Sequence, residues 1–181
     1  MGMDDDIEKI LYSANDLEKI VSRLGAEISK DYEGKNLLLV SILKGSVIIM
    51  ADLMRKITVP LSIDFMSVSS YGDGTVSTGR VRIIKDLDKD VSGMDILIVE
   101  DILDSGYTLE NLTEMIKRRK PNSVKICTLF DKPERRKADI SADYVGAHVP
   151  DEFIVGYGLD YAQKYRNLPY VGVLKKEIYT K

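Results

Sequence analysis

The run Ile96-Leu97-Ile98-Val99-Glu100-Asp101-Ile102-Leu103-Asp104-Ser105-Gly106-Tyr107-Thr108-Leu109 constrains this chain more than any other stretch. Ile96 to Val99 is uniformly apolar and suits a strand buried on both faces. From Thr108 to Lys120 the apolar residues Leu109, Leu112 and Ile116 recur at helical spacing. The spacing predicts a strand-to-helix turn that contains Glu100, Asp101 and Asp104. At the far end of that turn Asp104, Ser105, Gly106, Tyr107 and Thr108 offer backbone N–H groups and hydroxyls to an anion, because a first helical turn leaves its donors unpaired and the helix dipole favours negative charge there. The turn therefore reads as a cradle for a sugar phosphate. Carboxylates repel a bare phosphate, so Glu100 and Asp101 suit neutral sugar hydroxyls or a divalent cation, and Asp104 suits taking a proton.

The rest of the chain repeats this unit. Ser13 or Asn15 caps a helix reaching about Tyr32, with Leu17, Ile20, Val21, Leu24 and Ile28 on its apolar face and Gly34 as its stop. Leu37 to Ile42 forms a central strand, followed by the tight loop Leu43-Lys44-Gly45-Ser46 and a helix with Val47, Ile48, Ala51 and Met54 on its apolar side. Leu61 to Val68 and Arg80 to Ile84 read as strands separated by a polar, glycine-rich loop from Ser69 to Gly79, expected to be mobile. Val124 to Phe130 is a further core strand, and Tyr144-Val145-Gly146 opens a strand-rich tail. Such alternation implies an open α/β sheet with helices on both faces, which binds ligands in the loops after its strands: here those starting at Leu43, Glu100 and Asp131. Rings crowd together beyond Asp151, at Phe153, Tyr157, Tyr161, Tyr165 and Tyr170, as core packing or as one wall of a flat-ligand pocket.

Composition excludes several classes. A length of 181 residues suits one domain spanning 1–181, and a net charge of -3 argues against a broad nucleic-acid surface. Lys117 to Lys120 reads as a solvated helix end. Cys127 is the single cysteine and His148 the single histidine, so a disulfide or a Cys- or His-rich metal site is out of reach. Cys127 lies in an apolar strand and reads as a packed thiol; His148 reads as an edge or loop residue. Met1 to Asp6 has no basic start and no apolar core of the signal-peptide kind, and no apolar stretch approaches the roughly 18 residues of a membrane span. A cytoplasmic location, with no membrane and no nucleic-acid partner, is expected. There is no Gly-Lys-Ser/Thr phosphate loop, and Gly156-Tyr157-Gly158 does not sit between a strand and a helix as a dinucleotide fingerprint would.

Glu100 to Thr108 closely resembles the phosphoribosyl diphosphate-binding motif of type I phosphoribosyltransferases. Four further pieces narrow the resemblance to the short bacterial-type hypoxanthine-guanine phosphoribosyltransferases: Leu43-Lys44-Gly45, Ser70-Tyr71, Asp131-Lys132-Pro133, and Phe153-Ile154-Val155-Gly156-Tyr157 with Asp160 and Arg166 beyond. They stand in the family's order over roughly residues 10 to 175. The resemblance implies a type I phosphoribosyltransferase fold, α/β with a mostly parallel central sheet flanked by helices and a small hood made from terminal segments. It implies transfer of a phosphoribosyl group from 5-phosphoribosyl 1-diphosphate to hypoxanthine or guanine, with Mg2+, in a homodimer or homotetramer.

By the same resemblance Asp104 lies near purine N7, and Glu100 and Asp101 meet ribose hydroxyls and magnesium. Asp104, Ser105, Gly106, Tyr107 and Thr108 wrap the 5-phosphate, and Lys44 and Gly45 form the diphosphate loop. Lys132 meets the purine O6, Phe153 stacks on the base, and the Ile154 backbone meets its ring or exocyclic groups. Asp160 reaches a second magnesium site, Arg166 grips diphosphate, and Ser70 and Tyr71 tip a closing loop. The catalytic set is thus Asp104, Lys132 and Arg166, and the metal set Glu100, Asp101 and Asp160. Ser105 stands where many relatives have threonine, and Tyr107 where lysine or arginine is usual. Two other readings stay open: a nucleotide-sensing, RNA-binding regulator of the same fold, and an enzyme with another base as acceptor.

Overall fold

The computed structural model describes residues 2–70 and 81–180. Its elements are β1 (Ile7–Tyr12), α1 (Ala14–Asp31), β2 (Leu37–Leu43), α2 (Val47–Lys56), β3 (Leu61–Ser70) and β4 (Val81–Lys85). Then come β5 (Asp95–Leu103), α3 (Tyr107–Lys117), β6 (Ser123–Asp131), β7 (Tyr144–His148), β8 (Ile154–Val155), β9 (Val171–Leu174) and α4 (Lys176–Tyr179). A six-stranded sheet has the order β4-β3-β2-β5-β6-β7, parallel except where β4 meets β3. A second sheet, β1-β9-β8, is antiparallel and joins the two terminal segments into the expected hood.

Side-chain alternation along β5 divides the core. Ile96 and Ile98 pack with Leu109, Leu112 and Ile116 of α3, whereas Leu97 and Val99 pack with Leu17, Val21 and Leu24 of α1 and Ile49 and Leu53 of α2. Helices thus cover both faces. Ser13 caps α1 in a capping box with Asp16: the Asp16 N–H donates to the Ser13 hydroxyl at 3.2 Å and the Ser13 N–H donates to the Asp16 carboxylate at 3.0 Å. Gly34, at φ 72°, follows the helix end.

Three expectations are corrected, and one strand has no counterpart in the sequence reading. Glu100 and Asp101 lie inside β5 and not in the turn, because the β5–β6 ladder continues as far as Leu103 opposite Asp131. Helix α3 spans Tyr107–Lys117 and not Thr108 to Lys120: Lys120 turns to φ 58° before Pro121, whose ring disfavours helical backbone in the residue before it. The buried face of α2 is Ile49, Met50 and Leu53, with Val47 and Ala51 exposed and Ile48 and Met54 only partly covered. Periodicity could not choose between these faces, because Val47 to Met50 is apolar on every side of the first turn. Finally, β1 carried no readable alternation, since two register irregularities interrupt its pairing with β9 and Ile10 is left exposed.

The loop expected from Ser69 to Gly79 begins inside β3, which runs to Ser70; Tyr71 and the rest of the segment lie outside the described residues. No described helix is long and apolar enough to cross a membrane. Among the described residues the large exposed apolar side chains are Ile10, Ile63 and Ile84 on strands, Val47 on an α-helix, and Met3 and Phe153 outside both.

Candidate active site

The C-terminal ends of β2, β5 and β6 bring three loops together beneath the hood. Along β5, Glu100 takes the α3 side and Asp101 the opposite side, so neighbouring acids serve different compartments. Glu100 Oε2 is buried without a hydrogen-bond partner. Burial, reinforced by the Asp101 charge, pushes the Glu100 carboxyl well above its usual range. Asp101 is raised to about 6, chiefly by burial, against hydrogen bonds from the backbone and the attraction of Arg166. Both acids are held in a setting that disfavours their charge and would be relieved by a cation or by hydroxyl donors.

Gly106 caps α3 at φ 86° with no side chain to occupy the helix N-terminus, leaving the first-turn N–H groups for a ligand. A cleft of about 140 Å³ is lined there by Glu100, Asp104, Ser105, Gly106 and Thr108. Asp104 Oδ1 is buried and unpartnered. The loop is fastened from behind by Arg136, a residue no sequence pattern singled out. Its Nε donates to the Asp104 carbonyl at 2.9 Å, its Nη1 to the Ile140 carbonyl at 2.7 Å and its Nη2 to the Leu103 carbonyl at 3.2 Å, while it also pairs with the Asp131 carboxylate. The Lys137 and Ala138 N–H groups both donate to the Ser105 carbonyl at 3.0 Å. Arg136→Met leaves these acceptors without their charged donor; we expect a loss of about 2 to 4 kcal/mol of stability, read as a lowered urea midpoint at unchanged m-value.

Across the sheet the Leu43–Lys44 peptide is cis. A Cβ on Gly45 would lie 1.7 Å from Asp101 Oδ2, and one on Gly158, at φ 103°, would lie 2.1 Å from the Gly45 carbonyl oxygen. The loop after β2 is therefore pressed between the Asp101 carboxylate and the backbone of the 156–158 turn. Tyr157 secures that turn by donating its hydroxyl to Asp52 of α2. Lys44 Nζ and Arg166 Nη2 both donate to Gln163 Oε1, at 3.2 and 3.3 Å. Arg166 further pairs with Asp160 at 2.7 Å and donates to the Gly158 carbonyl at 2.7 Å. Lys44 is thus joined through Gln163, which sequence reasoning did not single out, to Asp160 and Arg166 far along the chain.

The third corner holds Lys132, Phe153 and Ile154. Lys132 is buried, and burial pushes its ammonium below the usual lysine value despite the opposing Asp104 charge. Its Nζ donates to the Glu152 carbonyl at 2.8 Å and lies 3.8 Å from Asp151, which also pairs with Arg135; Arg135 in turn stands 3.9 Å from Asp104. The Leu174 N–H donates to the Phe153 carbonyl at 2.8 Å. By antiparallel alternation, Ile154 opposite Val173 then takes a non-hydrogen-bonded position, so its own N–H and C=O face the open edge of the hood sheet.

Cys127 is buried, its thiol pushed up to about 12 by burial, and His148 is exposed at the end of the edge strand β7, so neither enters the site. Among the described residues no three acids, histidines or cysteines converge to hold a metal ion alone. The buried carboxylates of Glu100 and Asp101 suit magnesium, which commonly takes one or two carboxylates and completes its shell with substrate oxygens and water.

An open helix N-terminus on α3, a charged loop after β2 and a hooded third corner meet at the ends of the parallel strands. The family described as phosphoribosyl transferase domain matches residues 9–162. The hypoxanthine-guanine phosphoribosyltransferase of Streptococcus pyogenes is 57% identical over 179 residues, covering 99% of each chain. That of Staphylococcus aureus is 56% identical over 178 residues, covering 98% of this chain and 99% of its own. A crystal structure of a hypoxanthine phosphoribosyltransferase from Staphylococcus aureus superposes with a TM-score of 0.97 at 55% identity, covering 99% of this chain and 97% of that one. The chain belongs to the phosphoribosyltransferase family. Within it, the chain falls among the hypoxanthine-guanine phosphoribosyltransferases.

Proposed function

We propose that the chain, as one domain over 1–181, transfers the 5-phosphoribosyl group from 5-phosphoribosyl 1-diphosphate to hypoxanthine or guanine, releasing diphosphate and forming the nucleoside monophosphate in purine salvage. The observation that carries this is the placement of an unpartnered, buried Asp104 oxygen between the α3 phosphate cradle and the buried Lys132. The anomeric C–O bond to diphosphate breaks as positive charge develops on the ribose, and purine N9 forms the new bond. Asp104 takes or relays the proton at N7. The first-turn amides of α3 with the Ser105 and Thr108 hydroxyls hold the 5-phosphate, and Glu100 and Asp101 receive the ribose hydroxyls. Lys44, the Gly45 backbone and Arg166 neutralise the leaving diphosphate, and Ser70 and Tyr71 belong to the segment that excludes water. When bound, magnesium would supply charge neutralisation for diphosphate, with Glu100 and Asp101 offering carboxylates at one site and Asp160 at a second.

Lys132 sets the base class. It donates to a 6-oxo group and has no acceptor for the 6-amino group of adenine, while Phe153 stacks on the ring and the outward Ile154 backbone meets its edge. Replacing Lys132 by Gln restores an acceptor. Lys132→Gln is therefore expected to reduce the ratio of kcat/KM for hypoxanthine over adenine by at least about tenfold, measured with each base at saturating 5-phosphoribosyl 1-diphosphate and magnesium. An unchanged ratio would remove Lys132 from base recognition. By the family resemblance this reading includes a homo-oligomer, dimer or tetramer, in the cytoplasm. The RNA-binding regulator gains no support from the relatives, which are named as transferases.

A further inference from the structure

Phe153 is ringed on two sides only. Tyr179, from the last helix, stacks on it with ring centroids 4.8 Å apart and an interplanar angle of 25°, and Tyr161 meets it edge-on at 5.7 Å and 89°. Tyr161 and Tyr179 also meet each other at 6.4 Å. Even so, Phe153 remains 38% exposed, while Tyr161 and Tyr179 are partly buried. The chain path makes this contact specific. β9 pairs with β8, Leu174 hydrogen-bonds to the Phe153 carbonyl, and the chain then enters α4, whose Tyr179 returns to the ring just bypassed. Ile178, beside Tyr179, packs with Val155, Tyr165, Leu168 and Leu174, which holds α4 in place.

We propose that Tyr179 is a positioning residue for the base: it backs Phe153 on one face so that the purine stacks on the other, in a three-layer stack of Tyr179, Phe153 and purine. A phenyl ring on the residue just before the short edge strand β8 swings about two side-chain torsions, and a stacked ring behind it removes that freedom before the base arrives. The stack also orients the ring parallel to its second partner. This role rests on Phe153 being the base-stacking residue, and its test separates the two.

Initial rates are measured for wild type, Tyr179→Ala, Tyr179→Phe and Phe153→Leu with hypoxanthine, guanine and 5-phosphoribosyl 1-diphosphate each varied in turn, alongside thermal midpoints. The proposal predicts that Tyr179→Ala raises KM for both bases by about 3- to 10-fold, the range of one aromatic pair. KM for 5-phosphoribosyl 1-diphosphate changes far less, and Tyr179→Phe restores the base KM. An unchanged base KM in Tyr179→Ala, with Phe153→Leu raising it, overturns the role of Tyr179 alone. A lowered base KM in Tyr179→Ala overturns it too, by showing that Tyr179 covers the face the base needs. A uniform loss of midpoint, kcat and both KM values assigns Tyr179 to stability and overturns positioning. If Phe153→Leu leaves the base KM unchanged, the stacking role of Phe153 falls first, and the proposal with it.

Discussion

Asp104→Asn is expected to lower kcat/KM for hypoxanthine and guanine by about 10² to 10⁴, the range found when a positioned acid or base is removed. This equals about 3 to 5 kcal/mol of transition-state stabilisation. The expectation follows from where the carboxylate sits. Its Oδ1 is buried and has no partner in the protein, although the cleft around it is lined by polar groups, so it is kept open for a group that arrives with the substrate. Asparagine keeps the size and can still hydrogen-bond, but it cannot accept a proton. The loss should therefore appear in kcat, with KM for 5-phosphoribosyl 1-diphosphate nearly unchanged, because the Asp104 carbonyl stays tied to Arg136 and the phosphate amides keep their places. Fluorescence-free initial-rate assays on both bases check it. A comparable rise in KM for 5-phosphoribosyl 1-diphosphate with kcat preserved would make Asp104 a phosphate-loop residue and not a proton acceptor.

Gly158→Ala is expected to be strongly destabilising, at about 3 kcal/mol or more. Its φ of 103° is strained for any side chain, and its new Cβ would meet the backbone oxygen of Gly45 at 2.1 Å, an atom that cannot rotate away. At about 2 to 4 °C per kcal/mol for a chain of this size, the thermal midpoint drops by roughly 6 to 12 °C. Gly34→Ala is the natural control: φ is 72° but nothing lies within 4 Å, so only the conformational cost of about 1 kcal/mol remains. Gly45→Ala behaves differently again. Its Cβ meets a side chain, the Asp101 carboxylate at 1.7 Å, so that carboxylate is displaced and diphosphate use suffers more than stability. Equal midpoints for Gly158→Ala and Gly34→Ala would show that the 156–158 turn does not press on the loop after β2.

Much of this was legible in the chain. The apolar runs Leu37 to Val40 in β2 and Ile96 to Val99 in β5, the Ser13 cap and the helical spacing of α1 and α3 follow from period and end signals, and they suffice for an open sheet with loops after β2, β5 and β6. What escaped had physical causes. Acids inside a strand look like a turn, and only the partner strand β6 shows that the ladder passes Glu100 and Asp101. The face of α2 was set by tertiary packing on an all-apolar first turn. Arg136, Gln163 and Tyr179 gave no local signal, because each matters through residues far along the chain: Leu103 and Asp104 for Arg136, Lys44 for Gln163, Phe153 for Tyr179. Family resemblance assigned the ligand contacts, whereas geometry revealed the supports behind them.

The most direct measurement is the initial rate with 5-phosphoribosyl 1-diphosphate and magnesium against hypoxanthine, guanine, xanthine and adenine, with product identified by chromatography. The predicted result is inosine and guanosine monophosphates with stoichiometric diphosphate, and slow or no use of adenine and xanthine. Preferred turnover of adenine, or no turnover of any base by folded protein, would contradict the account.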